Sequence, residues 1–218
     1  MASVLERELI IRLLSDTPLP VIVDLGAYIG DEFDWLRGIF DMGHYVGVEA
    51  DPRNVARFRD RHPGAIVIEA AVAALDGLVT FHQCDNAVGQ GIGSGSIRPP
   101  KKHLEFFPWC KFEKTIQVQG YTLDTLCGSY PPIDLLWVDV QGAERDMIAG
   151  GTKTLARTRY MMIEAEEHEF YEGQAVRPDL LAMLPDWEVV QEFDFNVFLK
   201  NRAQNPLSTT HRLKAGSL

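Results

Sequence analysis

Five short apolar runs recur along the chain, at residues 21–25, 45–49, 65–69, 133–139 and 160–164, and each contains or ends in an acid: Asp24, Glu49, Glu69, Asp139 and Glu164. Runs this short and this apolar fit strands covered on both faces. Segments of helical periodicity follow the first two, so strand, turn and helix alternate over about the first seventy residues. Parallel strands need such crossovers, and the pattern predicts an α/β fold built on a doubly wound, mostly parallel sheet. Residues 187–193 and 196–200 lie too close together for a crossover. They are expected to form an antiparallel C-terminal hairpin.

The local punctuation agrees with this framework. Residues 4–14 place Val4, Leu5, Leu9, Ile10, Leu13 and Leu14 at helical spacing, and Pro18 and Pro20 stop that helix before the first strand. A second helix is expected over 31–40, closed by Gly43. Asp51-Pro52 opens a third with a cap side chain followed by proline in the first turn. Residues 78–82 and 115–118 read as accessory strands, and a helix is expected from about 144 to 155. The expected organisation is one domain over 1–201, with a lid-like insertion near 86–114 and a flexible tail over 202–218. Phe106, Phe107 and Trp109 in that insertion serve either a substrate or the core.

In open α/β sheets, ligands bind beyond the carboxyl ends of the strands, where the five acids converge. Gly26 permits a tight turn after the first strand, and Gly30 lets a helix begin close to it. Glu49 lies a little over twenty residues beyond Gly26, the position from which a carboxylate accepts hydrogen bonds from ribose hydroxyls. A dinucleotide fingerprint, however, needs glycine where Tyr28 stands. That weakens an NAD-dependent oxidoreductase. An adenosine cofactor with an amino-acid tail and no pyrophosphate tolerates Tyr28 better, with Asp24 facing its ammonium.

Composition narrows the partners. A net charge of −10 over 218 residues argues against nucleic acid, which is bound through clustered cations. Lys101, Lys102, His103, Lys111 and Lys114 form a local exception that could steer an anion. Cys84, Cys110 and Cys127 have no disulfide or zinc spacing, and no apolar run is long enough to span a membrane, so the expected compartment is the cytoplasm.

Five ordered motifs, residues 24–31 (DLGAYIGD), 48–52 (VEADP), 121–126 (YTLDTL), 138–144 (VDVQGAE) and 196–199 (NVFL), resemble those of the FkbM-type methyltransferases over roughly residues 20–201. The resemblance implies a class I, Rossmann-like methyltransferase fold with a seven-stranded sheet whose last strand is antiparallel. It also implies S-adenosylmethionine as cofactor, and methyl transfer to a hydroxyl of a sugar, glycoconjugate or similar small molecule. By motif, Asp24, Gly26, Ala27, Tyr28, Ile29 and Gly30 surround the methionyl part. Glu49 and Ala50 take the ribose side, Glu69, Ala70 and Ala71 the adenine edge, and Asp139 also lines the site.

Two positions depart from the family pattern: Trp137 stands near a common lysine, and Gln141 replaces a common glutamate. The lost charge at Gln141 motivates a non-catalytic, cofactor-binding alternative. For catalysis, Asp139 and Glu164 end neighbouring strands and can share a proton, orient a hydroxyl or hold a divalent cation; His168, beyond Glu166 and Glu167, is a further candidate base.

Overall fold

The computed structural model describes residues 2–40, 44–86 and 92–204. Helix α1 (Val4–Leu14) starts with a capping box, in which the Ser3 hydroxyl accepts the Glu6 N–H at 3.3 Å and the Glu6 carboxylate accepts the Ser3 N–H at 2.5 Å. Then follow β1 (Val21–Leu25), α2 (Asp31–Arg37), β2 (His44–Glu49), α3 (Pro52–Arg61), β3 (Ile66–Glu69), β4 (Ala71–Val72) and β5 (Gly77–Asp85). The second half runs α4 (His103–Phe106), β6 (Lys111–Tyr121), α5 (Leu123–Cys127), β7 (Ile133–Val138), α6 (Glu144–Ala149), α7 (Thr152–Ala156), β8 (Thr158–Glu164), α8 (Arg177–Ala182), β9 (Trp187–Glu192) and β10 (Asn196–Asn201).

The main sheet has seven strands in the order β3-β2-β1-β7-β8-β10-β9. Its first five strands are parallel, and β10 runs antiparallel to both β8 and β9. Alternation sends each strand's side chains to two cores. On one face Val23, Leu136, Val138, Ile163 and Leu199 pack under α5 to α8; on the other Ile22, Leu135, Trp137, Met162 and Phe198 pack under α1 to α3. Continuing the same alternation puts Asp24, Asp139, Glu164 and the facing Asn196 on the α1 side of the sheet's carboxyl edge. A smaller sheet, β4-β6-β5, is dominated by the long antiparallel β5–β6 pair.

Several expected boundaries shift. Helix α2 ends at Arg37 because the N–H groups of Ile39 and Phe40 both turn back to the Leu36 carbonyl; Gly43 lies outside the described residues. The helix expected through 155 is two helices, α6 and α7. A Cβ on Gly150 would lie 2.9 Å from the Ala73 carbonyl oxygen, and one on Gly151 2.7 Å from Leu123 and from the Met147 carbonyl oxygen. Only glycines fit that junction, and the pair interrupts the helix. The accessory strands extend to Asp85 and back to Lys111, so Lys111 to Lys114 are strand residues. Of the tail, only 202–204 is described. No helix among the described residues is long and apolar enough to cross a membrane.

Phe198 is fully buried on the one strand that reverses the sheet's direction. Phe198→Ala is expected to cost about 3–5 kcal/mol of unfolding free energy through lost burial and the cavity left behind. Urea unfolding measures this, and a loss under about 1 kcal/mol would contradict the packing described.

Candidate active site

The turn after β1 is shaped by backbone contacts that leave no room for side chains. Asp139 N–H donates to the Leu25 carbonyl at 2.9 Å, while the N–H groups of Gly26 and Ala27 donate to the Val48 carbonyl at 2.8 and 3.0 Å. Gly26 has φ 87°, and a Cβ there would stand 1.8 Å from the Asp139 carbonyl oxygen. Tyr28 follows with φ 48°, unusual for a residue with a side chain, and its N–H donates to Glu49 Oε2 at 2.9 Å. Gly30, at φ 85°, caps α2 where a Cβ would meet the His62 ring at 2.6 Å.

Glu49 is the hub of this turn. Its other oxygen accepts the Asp51 N–H at 2.8 Å. Burial nonetheless pushes its carboxyl up to about 7, against the pull of those donors. Asp24 is buried at 1% exposure and accepts the Tyr45 hydroxyl through one oxygen; the other, Oδ1, has no partner. Burial, then the neighbouring Glu32 carboxylate, raises the Asp24 carboxyl well above the usual range. Asn54 Oδ1 is likewise buried without a partner.

Beside the turn, Asp139 and Glu164 form a second centre. Burial raises both carboxyls, and the Asp139 charge adds to the rise at Glu164. The Gln141 amide nitrogen donates to Asp139 Oδ1 at 2.6 Å and to Glu164 Oε2 at 2.9 Å. Gln141 itself is held in a left-handed conformation (φ 50°), with the Tyr171 hydroxyl 2.7 Å from its amide oxygen and the Ser96 hydroxyl donating to its carbonyl at 2.6 Å. The Tyr171 hydroxyl also lies 2.8 Å from the Ser94 carbonyl. The described part of the insertion, from Ile92, is thereby tied against this centre.

The cleft between the two centres is lined by Gly26, Glu49, Ala50, Ala70, Ala71 and Asp139, with Asn54, Gly93, Gly95 and Gln141 among the remaining walls. Ile29 sits part-buried in the turn. Glu69 is outside the lining: its half-exposed carboxylate pairs with Arg59 at 3.4 Å. His168 is exposed, and the contacts of its ring are with Phe106 and Phe170, at centroid distances of 5.1 and 6.1 Å. Phe106 and Trp109 are exposed while Phe107 packs on His103 and Phe170. Lys101 pairs with Glu169 at 2.5 Å. Gln141 appeared in the sequence only as a departure from a family pattern. Tyr171, Tyr45 and Asn54 left no sequence signal, because what marks them is contact across elements distant in the chain.

The residues fit S-adenosylmethionine. Asp24 Oδ1 is a buried acceptor without a partner, which an ammonium would satisfy, and Gly26, Glu49 and Asn54 bring backbone, a carboxylate and an amide to the cleft wall. For a divalent cation, no group of three or more His, Cys, Asp or Glu that could hold one is present among the described residues. Asp139 and Glu164 are bridged instead by the Gln141 amide.

A seven-stranded sheet with this order, closed by an antiparallel strand and bearing this cleft, is that of a class I methyltransferase. The methyltransferase FkbM domain matches residues 24–198, and the chain belongs to that family of enzymes. It is 36% identical over 200 residues, 86% of this chain and 82% of the other, to the 2-O-methyltransferase NoeI of Sinorhizobium fredii. Among solved structures it resembles the methyltransferase FkbM of Methylobacillus flagellatus, with a TM-score of 0.54 and 12% identity, covering 84% of this chain and 44% of that one. The chain thus spans under half of that protein's length. It also resembles the Methanococcus jannaschii fibrillarin pre-rRNA processing protein, with a TM-score of 0.50, 12% identity, and coverage of 86% of this chain and 68% of that one.

The raised carboxyls fix the pH dependence of stability. Glu49, Glu144 and Glu166 are each pushed by burial from 4.5 up to about 7. Between those values the folded chain holds protons that the unfolded chain has released, so their contribution to stability is complete below 4.5 and is lost as pH rises through about 7. The ligand-free protein is expected to melt several degrees higher at pH 6 than at pH 8 in calorimetry. A higher melting temperature at pH 8 would contradict the burial of ionisable carboxyls at this edge.

Proposed function

We propose that this methyltransferase methylates a hydroxyl of a sugar or glycoconjugate, with the Asp139–Glu164 pair receiving the hydroxyl proton. The observation that supports this most directly is the Gln141 amide, whose nitrogen donates to both carboxyls and so holds Glu164 beside Asp139, a residue of the cleft wall. The 2-O-methyltransferase relative supports an oxygen acceptor.

S-adenosylmethionine, when bound, supplies an electrophilic methyl group on a sulfonium. The protein then has to align an acceptor oxygen in line with that methyl and remove its proton, since an alcohol is a poor nucleophile while protonated. Glu164 holds the proton of the pair, leaving Asp139 as the charged member that accepts the hydroxyl's hydrogen bond. As the oxygen–carbon bond forms and the sulfur–carbon bond breaks, that hydroxyl proton passes to Asp139. Gln141 keeps both carboxyls in register by donating one N–H to each, and Tyr171 fixes the amide so that nitrogen, not oxygen, faces them. A glutamate at 141 would place a third carboxylate against the pair. His168 takes no step in this scheme. The described cysteines are free and buried, consistent with work in a reducing cytoplasm.

Incubation with S-adenosylmethionine and a panel of neutral glycans is expected to give products heavier by about 14 Da, the methyl-for-hydrogen exchange of any such transfer, detected by mass spectrometry. Asp139→Asn is expected to lower kcat by about 10²-fold or more while leaving S-adenosylhomocysteine affinity within a few-fold. A mass gain confined to amine or carboxyl acceptors, or an Asp139→Asn enzyme with unchanged kcat, would contradict the proposal.

A further inference from the structure

A second hollow lies outside the cofactor cleft. A groove of about 810 Å³ runs between α1 and the β9–β10 hairpin, walled by Ser3, Glu6, Glu8, Leu9 and Arg12 on one side and by Gln191 to Asn196 on the other. Its inner end is Asn196, which pairs directly with Glu164 across the β8–β10 register, with both side chains on the α1 face. The Ala165 N–H donates to the Phe195 carbonyl at 2.8 Å, so the hairpin turn is fixed to the backbone just beyond Glu164. The opposite wall is fixed as well. Glu6, buried at 4% exposure, accepts the Asn196 amide at 2.8 Å while closing the cap of α1. The groove therefore reaches Asn196, the residue paired with Glu164 on the neighbouring strand.

Its chemistry is specific. Phe195 is 54% and Leu5 67% exposed, an apolar platform beside polar groups. Of the charged side chains, Glu6 is used by Ser3 and Asn196, and Glu192 pairs with Arg177 at 3.4 Å. Glu8, Arg12 and Asp194 remain to meet a ligand at the groove's rim. Carboxylates and a guanidinium flanking an aromatic ring suit a ligand that is rich in hydroxyls and presents an apolar C–H face. Four carboxylates in the walls against Arg12 disfavour an anionic one.

We propose that this groove binds the sugar units next to the one that is methylated, so that the acceptor is a neutral oligosaccharide chain and not a free monosaccharide. The inference rests on the sugar-hydroxyl reading above, and binding and turnover separate the two. Cellopentaose, maltopentaose and chitopentaose, each beside its monosaccharide, serve as probes, with polygalacturonate as the anionic control. Saturation-transfer NMR in the presence of S-adenosylhomocysteine reads binding, and transfer of a labelled methyl group reads turnover.

At least one pentasaccharide is expected to bind about tenfold or more tightly than its monosaccharide, and Phe195→Ala to remove about that factor, as for one aromatic contact. Asp194→Asn is expected to weaken binding in the same direction, and retained S-adenosylhomocysteine affinity shows that each variant is folded. Binding that is lost in Phe195→Ala without any methylated product keeps the groove and overturns the sugar-hydroxyl reading. Binding or methylation that Phe195→Ala and Asp194→Asn leave unchanged, equal affinity for monosaccharides, preference for polygalacturonate, or no binding by any pentasaccharide overturns the groove proposal.

Discussion

Asp24, Glu49, Asp139 and Glu164 stand at the ends of neighbouring parallel strands, and alternation along those strands turns Asp24, Asp139 and Glu164 to the same face of one sheet edge. Burial raises Asp24 and Glu164 well above the ordinary carboxylate range, and neighbouring carboxylates, Glu32 beside Asp24 and Asp139 beside Glu164, add to the rise. Each is relieved differently. Glu49 spends both oxygens on backbone N–H groups, Glu164 and Asp139 share the Gln141 amide, and Asp24 has only the Tyr45 hydroxyl and keeps one oxygen unsatisfied. The unsatisfied oxygen leaves a buried acceptor at this edge.

The two centres are mechanically one. The Asp139 main chain holds the end of β1 through its N–H and crowds Gly26 through its carbonyl, while its side chain accepts the Gln141 amide that also reaches Glu164. Tyr28 and Gln141, the two residues with side chains held at positive φ, are each fixed through a glutamate: Tyr28 by donating its N–H to Glu49, Gln141 by donating its amide to Glu164. Local strain of this kind persists where surrounding contacts over-determine it. Cofactor geometry and acceptor geometry are therefore not free to drift apart by the ångström that methyl transfer would notice.

Much of this was legible in the sequence, because the signals were local. Apolar runs with terminal acids gave the strands, Asp51-Pro52 gave a helix start, and the short gap between the last two runs required an antiparallel pair, which the β9–β10 hairpin is. Glu49 was readable from its distance to Gly26. Legibility stopped where contacts cross the chain. Gln141 looked like a lost charge until the structure set its amide between two carboxyls, with Tyr171, thirty residues on, behind it. Glu69, an acid at a strand end like the others, faces Arg59 and not the cleft, which periodicity cannot reveal. The break between α6 and α7 depends on crowding from Ala73, Leu123 and Met147.

The most direct measurement is proton release on cofactor binding. Titrating the protein with S-adenosylhomocysteine at pH 7 in two buffers of different ionisation enthalpy reports the protons exchanged. Glu49, pushed up to about 7 in the free protein, is driven to its charged form by ribose hydroxyl donors, as Asp24 is by the ammonium. Net release of protons is expected, with affinity falling as pH drops below 7. Proton uptake, a binding enthalpy independent of buffer, or no binding at millimolar ligand would contradict a carboxylate edge built for a cationic, ribose-bearing cofactor.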